Sequence, residues 1–227
     1  MVQSALSFAS ARQFMVDSQL RPSRVTHTGV IEAMRRIPRE LFLPPALHSV
    51  AYADQDVPLG HGRVLMAPLA FARLAQALDP VRDERILVVG AGLGYGAAVL
   101  AACGARVAAL DCDAALLAAG RAAFQEIGLA VTIHEGPLAT GIPGAQAWDG
   151  IVVEGMVDDI PASFAQQLRA PGGRIITVRR QPGRPGVTPT GLAVRAERQG
   201  EALVSRPLFD CQTAPLPGFA RELEFQF

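Results

Sequence analysis

The sequence contains no lysine; its 21 basic residues are all arginines. We read that absence as a bias of genome composition, because the arginines are matched by 21 acidic residues and the formal net charge is zero. Without a net field, neither a nucleic acid nor an anionic membrane is expected as a partner, and partners must be argued from local sites. Cysteine is also scarce. Cys103, Cys112 and Cys211 show no Cys-x-x-Cys spacing, and the four histidines (His27, His48, His61 and His134) are scattered. This excludes a recognisable zinc site or disulfide framework and predicts a metal-free protein of the reducing cytoplasm. No apolar run reaches the roughly 18 residues of a membrane span. The first 20 residues mix Gln, Ser, Arg and Asp with apolar positions, so no signal peptide is expected either.

What is present is a chain of 227 residues, half of them apolar. That length supports one sizeable core with an appended subdomain. Residues 1–80 read as an N-terminal helical subdomain with a loop, and 81–227 as the core. In the first part, a modest apolar face over Ala5–Val16 predicts a helix ending before Arg21-Pro22. A second helix is expected from Thr26 or Thr28, either able to cap it, as far as the residue before Pro38. The stretch Ala51–Gly60 loses periodicity and reads as an ordered loop, and Pro68 is well placed to open a helix running through Leu78.

From Ile86 onward, short apolar runs (86–89, 107–110, 131–134, 151–153, 174–178) alternate with helical patterns (95–103, 114–126, 161–169). Such alternation predicts an α/β fold whose mostly parallel sheet is covered on both faces. The Pro- and Gly-rich stretch 181–189 reads as a mobile loop. Beyond it, Leu192–Ala196, Leu203–Phe209 and Leu223–Phe227 read as strands with no helix between them, hence as antiparallel pairing at one edge.

The chemistry-bearing motif is Arg85-Ile-Leu-Val-Val-Gly-Ala-Gly-Leu-Gly-Tyr-Gly. Three alternating glycines follow an apolar strand and lead into a helix, and Asp111 stands at the end of the next strand. Glycines at that turn let a ligand approach the backbone N–H groups, and an acid there binds ribose hydroxyls. Two registers compete. Gly92-x-Gly94-x-x-Ala97 would be a dinucleotide fingerprint, whereas Gly90-x-Gly92-x-Gly94 suits S-adenosylmethionine (SAM). Gly90 directly follows the strand and must close its turn, which favours SAM, and the chain has little room for the substrate domain of a hydride-transfer enzyme.

Here the sequence resembles the protein-L-isoaspartate O-methyltransferase family, over nearly its full length and most closely a divergent bacterial branch. The resemblance rests on Met15-Val-Asp-Ser-Gln-Leu-Arg21, Val30–Pro44, Ala51-Tyr52-Ala53-Asp54, Pro58-Leu59-Gly60, Tyr95 with Ala97–Leu100, Pro161, Gln167-Leu168 and Gly172-Gly173-Arg174. It implies a class I SAM-dependent methyltransferase (Rossmann-like) that methylates the free carboxylate of isoaspartyl residues in damaged protein, with later ring closure to a succinimide. A carboxylate is ionised at pH 7, so the transfer needs no general base. The implied cofactor residues are Gly90, Ala91, Gly92, Gly94, Tyr95, Asp111, Cys112, Glu135, Gly136 and Pro137. Tyr52, Asp54, Arg63 and Met66 are the candidates facing the acceptor; no catalytic dyad and no metal ligand is expected.

Four positions depart from the family's pattern. Met66 stands where a serine contacts the acceptor carboxylate, and Val88 where an acid precedes the first glycine. Gly136-Pro137-Leu138 replaces a Gly-Asp-Gly, leaving Glu135 as the nearby carboxylate, and Glu154-Gly155-Met156 replaces a Thr-Ala-Ala. Arg63, by pairing with a carboxylate substrate in two-pronged fashion, could take over the serine's role. A different, unidentified acceptor, or a SAM-binding module without repair activity, stays open beside the leading reading.

Overall fold

The structure, a computed structural model, describes residues 2–145, 147–181, 190–200 and 202–220. All but Gln181 of the expected 181–189 loop, and the expected strand over 223–227, lie outside the described residues.

The N-terminal helix α1 (Val2–Phe14) continues as a π-helical turn over Met15–Leu20, whose Met15, Val16 and Leu20 are buried. Helix α2 (Thr28–Arg36) is capped neither by Thr26 nor by Thr28. His27 takes that place, its ring Nδ1 accepting from the Val30 amide at 3.1 Å, as a side-chain acceptor at the N-cap should. The expected loop at 51–60 is partly regular: β1 (Val57–Gly60) and β2 (Arg63–Leu65) form a small antiparallel hairpin. Its turn uses Gly60, His61 and Gly62 at positive φ, and a three-residue strand has too little alternation to be read from sequence. Helix α3 (Pro68–Leu78) opens on Pro68 as expected.

The core follows as β3 (Arg85–Val89), α4 (Tyr95–Ala102), β4 (Arg106–Asp111), α5 (Ala114–Glu126), β5 (Val131–Glu135), β6 (Gly150–Val157), α6 (Ala162–Gln167), β7 (Arg174–Arg180), β8 (Gly191–Gln199) and β9 (Ala202–Asp210). The seven strands lie in the order β5-β4-β3-β6-β7-β8-β9. Pairings from β5 to β7 are parallel; β8 and β9 add antiparallel at the edge. Alternate residues of β3 enter different cores: Ile86 and Val88 face α2, α3 and α4, while Leu87 and Val89 face Trp148, Phe164 and Leu168. Both faces are buried, which is why β3 reads as an unbroken apolar run.

This order places the ligand crevice. The chain leaves β3 toward β4 and β5, then returns across to β6 and β7, so β3 and β6 border the point where the winding reverses. In open α/β sheets ligands bind at that point, beyond the carboxyl ends of the strands. The glycines lie there, with Gly90, Gly92 and Gly94 at φ of 73°, 55° and 89°. At Gly94 a Cβ would stand 2.3 Å from the Phe124 ring, so the turn excludes larger residues on packing as well as on backbone grounds.

Candidate active site

Asp111 ends β4 with its side chain fully buried. Its Oδ2 accepts from the Gly92 amide at 2.6 Å and its Oδ1 from the Asp113 amide at 3.1 Å. The acid is thus locked to the glycine turn, as a ribose-binding carboxylate requires. Its further partner is Arg63, whose Nη1 and Nη2 donate to the two carboxylate oxygens at 2.8 and 2.7 Å; Nη2 also donates to the Gly90 carbonyl at 2.9 Å. Arg63 is only 4% exposed. The acceptor role read for Arg63 is therefore corrected in this arrangement: the β1–β2 hairpin aims the guanidinium at Asp111. A two-pronged guanidinium fits a carboxylate best, and Asp111 is the one within reach.

The other acceptor-side candidates also turn inward. The hydroxyl of Tyr52 donates to Glu40 and accepts from Arg12 and from the Arg39 amide, while the Tyr52 carbonyl accepts from Gln19. Burial pushes the Tyr52 hydroxyl well above its usual range. Tyr52 ties the N-terminal helix to the core. Asp54 accepts from the Leu69 amide at 3.1 Å and Asp56 from the Ala67 amide at 2.7 Å, holding the first turn of α3. The Met66 side chain is 2% exposed and belongs to the core, so the structure does not present it to an acceptor.

On the cofactor side, Gly136 donates its amide to the Asp111 carbonyl at 3.0 Å, which brings Glu135, Gly136 and Pro137 beside the ribose acid. Glu135 and Cys112 are exposed there. Ala91 is buried in the turn. Tyr95 opens α4 but points into the core between Phe42 and Phe71, its hydroxyl making no well-formed hydrogen bond with the Arg39 guanidinium beside it and its pKa pushed up to about 12 by burial, opposed by Arg39. It supports the turn from below and does not face a ligand.

Two buried charges were given no role by the sequence, Arg39 lying within the Val30–Pro44 likeness and Glu154 marking a departure from the family's pattern. Arg39 is fully buried, with Nε and Nη2 donating to the carbonyls of Ala51 and Met66 at 2.7 and 2.5 Å and its guanidinium 4.7 Å from the Tyr95 ring centroid. Burial lowers its pKa. Glu154, near the carboxyl end of β6, is 7% exposed and its Oε1 has no hydrogen-bond partner. Burial pushes its carboxyl up to about 8, opposed by Arg39 and Arg63. A signal existed for Glu154, which interrupts an apolar run, but a single residue out of pattern does not reveal its depth; Arg39, next to Glu40 and close to Arg35 and Arg36, gave none.

These residues fit SAM. The glycine turn lets the cofactor lie close to the backbone, Asp111 suits the ribose, and Glu154 offers an acceptor without a donor. A cleft of ≈570 Å³ opens nearby at the ends of β6 and β7, among Asp54, Asp56, Met156, Arg180 and Thr213. Thr213 donates to Asp56 at 2.7 Å, and Arg180 pairs with Asp158 at 2.6 Å. A larger cavity, ≈630 Å³, is lined by Arg85, Arg106 and Val131, the first residues of β3, β4 and β5, away from the crevice.

Residues 11–184 match the family described as protein-L-isoaspartate(D-aspartate) O-methyltransferase (PCMT). A protein-L-isoaspartate O-methyltransferase of Methylorubrum extorquens is 39% identical over 175 residues, 77% of this chain and 76% of the relative. Another, of Roseiflexus sp., is 32% identical over 214 residues, 94% of each. A solved structure from Plasmodium falciparum, described as a protein-L-isoaspartate O-methyltransferase in complex with S-adenosyl-L-homocysteine, has a TM-score of 0.74 at 16% identity, covering 90% of this chain and 97% of its own. That last likeness is one of fold.

Proposed function

The chain belongs to the protein-L-isoaspartate O-methyltransferase family, and we propose that its residues carry out that family's reaction, methyl transfer from SAM to the free carboxylate of isoaspartyl residues in protein. The observation that carries this reading is the extent of the likeness: 32% identity over 94% of the chain, glycine turn and acceptor loop included.

When bound, SAM supplies a methyl group already activated by its sulfonium. Asp111 would hold the ribose, and the backbone around Glu135, Gly136 and Pro137 would border the adenine. Gly90, Ala91, Gly92 and Gly94 let the cofactor lie against the turn. Asp111 can take ribose hydroxyls only after giving up Arg63, because both its oxygens are engaged. Arg63 is thus a resident counter-charge that Asp111 would have to release.

The acceptor carboxylate enters the cleft bounded by the 54–56 loop and β7. It is ionised at neutral pH and attacks as it stands. The work left for the protein is alignment of carboxylate oxygen, methyl carbon and sulfur, with water kept out. Asp54 and Asp56 contribute by fixing the cleft wall. We place the reaction in the reducing cytoplasm, in keeping with three free cysteines.

The test is transfer of labelled methyl from SAM to an isoaspartyl peptide, with the aspartyl isomer as control. Base-labile label on the isoaspartyl peptide alone is expected. Cofactor binding with label on neither peptide would favour another acceptor or a module without repair activity.

A further inference from the structure

Glu154 and the glycine turn are in direct contact. The Glu154 carbonyl oxygen lies 3.4 Å from where a Cβ on Gly90 would stand, and its Oε1 only 1.7 Å from where one on Gly96 would stand. Glycine at 96 is what leaves room for this carboxylate against the first turn of α4, while Phe71 closes the same spot from α3. The charged groups that face it are Arg39, from the turn after α2, Arg63 of β2 and Asp111 of β4.

An ionised carboxylate is an acceptor only, so what Glu154 Oε1 lacks is a donor, best a positively charged one. Neither arginine serves. Arg63 spends its Nη groups on Asp111 and Gly90, and Arg39 has two bonds to carbonyls while its Nη1 stays as partnerless as Glu154 Oε1. SAM carries two cations. Its sulfonium has no N–H to donate, and its α-ammonium has three.

We propose that Glu154 binds the α-ammonium of the cofactor and so seats its methionyl end against the first turn of α4, across the glycines from the ribose acid Asp111. The role is one of binding and positioning, and it rests on the glycine turn being the SAM site. It also gives a reason for the apolar Val88: β3 and β6 run parallel with Val88 opposite Val152, so Glu154 emerges on the same face two residues further along the neighbouring strand.

The test uses S-adenosyl-L-homocysteine, which keeps the ammonium but has neither sulfonium nor transferable methyl. Binding is followed by calorimetry at pH 7 in two buffers of different ionisation enthalpy. In the free protein the Glu154 carboxyl, with its pKa near 8, is mostly protonated at pH 7, and an ammonium selects its ionised form. Binding should therefore release about one proton. In Glu154→Gln that release should vanish and affinity should fall about tenfold or more, for SAM as well.

Thermal melting of Glu154→Gln at pH 7 should not fall below wild type, since an amide replaces a carboxyl that is already neutral; this keeps folding apart from binding. Equal affinity in the two proteins, an unchanged proton release, or a loss confined to SAM would overturn the proposal. Failure of the wild-type protein to bind either compound would instead overturn the cofactor site itself.

Discussion

Two buried carboxylates flank the glycine turn, Asp111 from β4 and Glu154 from β6, and the fold treats them in opposite ways. Asp111 has four donors in place: two from Arg63 and the amides of Gly92 and Asp113. Glu154 Oε1 has none. A buried charge is tolerated when paired and costly when not, so Asp111 stays ionised beside Arg63, while burial holds Glu154 protonated at neutral pH and makes its ionisation costly. On the proposed reading, Asp111 would have to release Arg63 before taking a cofactor hydroxyl, while Glu154 leaves a place open for a cation.

Removing the charge at the satisfied site should have the largest effect. Asp111→Asn leaves Arg63 buried without its counter-charge, and we expect a loss of about 3–5 kcal/mol by urea denaturation, together with loss of SAM binding. If Asp111→Asn were as stable as wild type, the two carboxylates would not differ as described.

The unsatisfied site should respond in the other direction. The folded-state pKa of Glu154, about 8, lies above the ordinary carboxyl value of 4.5. Wild type therefore loses stability from this group as pH rises through 4.5 toward 8, and no more above that. The stability difference between Glu154→Gln and wild type should grow in the variant's favour over that window and then level off, reaching on the order of a few kcal/mol. A difference that stayed flat from pH 5 to 9 would contradict the buried, unpaired state of the carboxyl.

The smallest effect is expected at Tyr95, which supports the turn by its ring alone. Its hydroxyl is buried, with Arg39 beside it but no well-formed hydrogen bond, so Tyr95→Phe should lower stability by no more than about 1 kcal/mol. A loss of about 2 kcal/mol would mean that the hydroxyl has a partner.

The satisfied half of this comparison was legible in the sequence and the other half was not. Gly90, Gly92, Gly94 and Asp111 announce themselves because a turn that approaches a ligand demands glycine and the end of the next strand demands an acid; both demands are local. The parallel strands were legible for the same reason, as apolar runs separated by helical patterns. The loop 51–68 obeyed no local rule. Tyr52, Asp54, Arg63 and Met66 read as acceptor-facing by likeness, yet partners 12 to 48 residues away decide where Tyr52, Asp54 and Arg63 point, and Met66 is taken into the core. Glu154 was visible only as a departure from the family's pattern. Its meaning depends on Gly96 and Phe71, which the fold brings to it from two different helices.

The exchange at Asp111 is tested most directly by the SAM affinity of Arg63→Met, a variant that keeps the buried stem of the side chain and removes its charge. With no resident cation to displace, and with Asp111 left short of a partner, the folded variant should bind SAM about tenfold more tightly or better than wild type, a difference of about 1.4 kcal/mol. Binding weaker than wild type would show instead that Arg63 is a ligand of the cofactor and not its competitor.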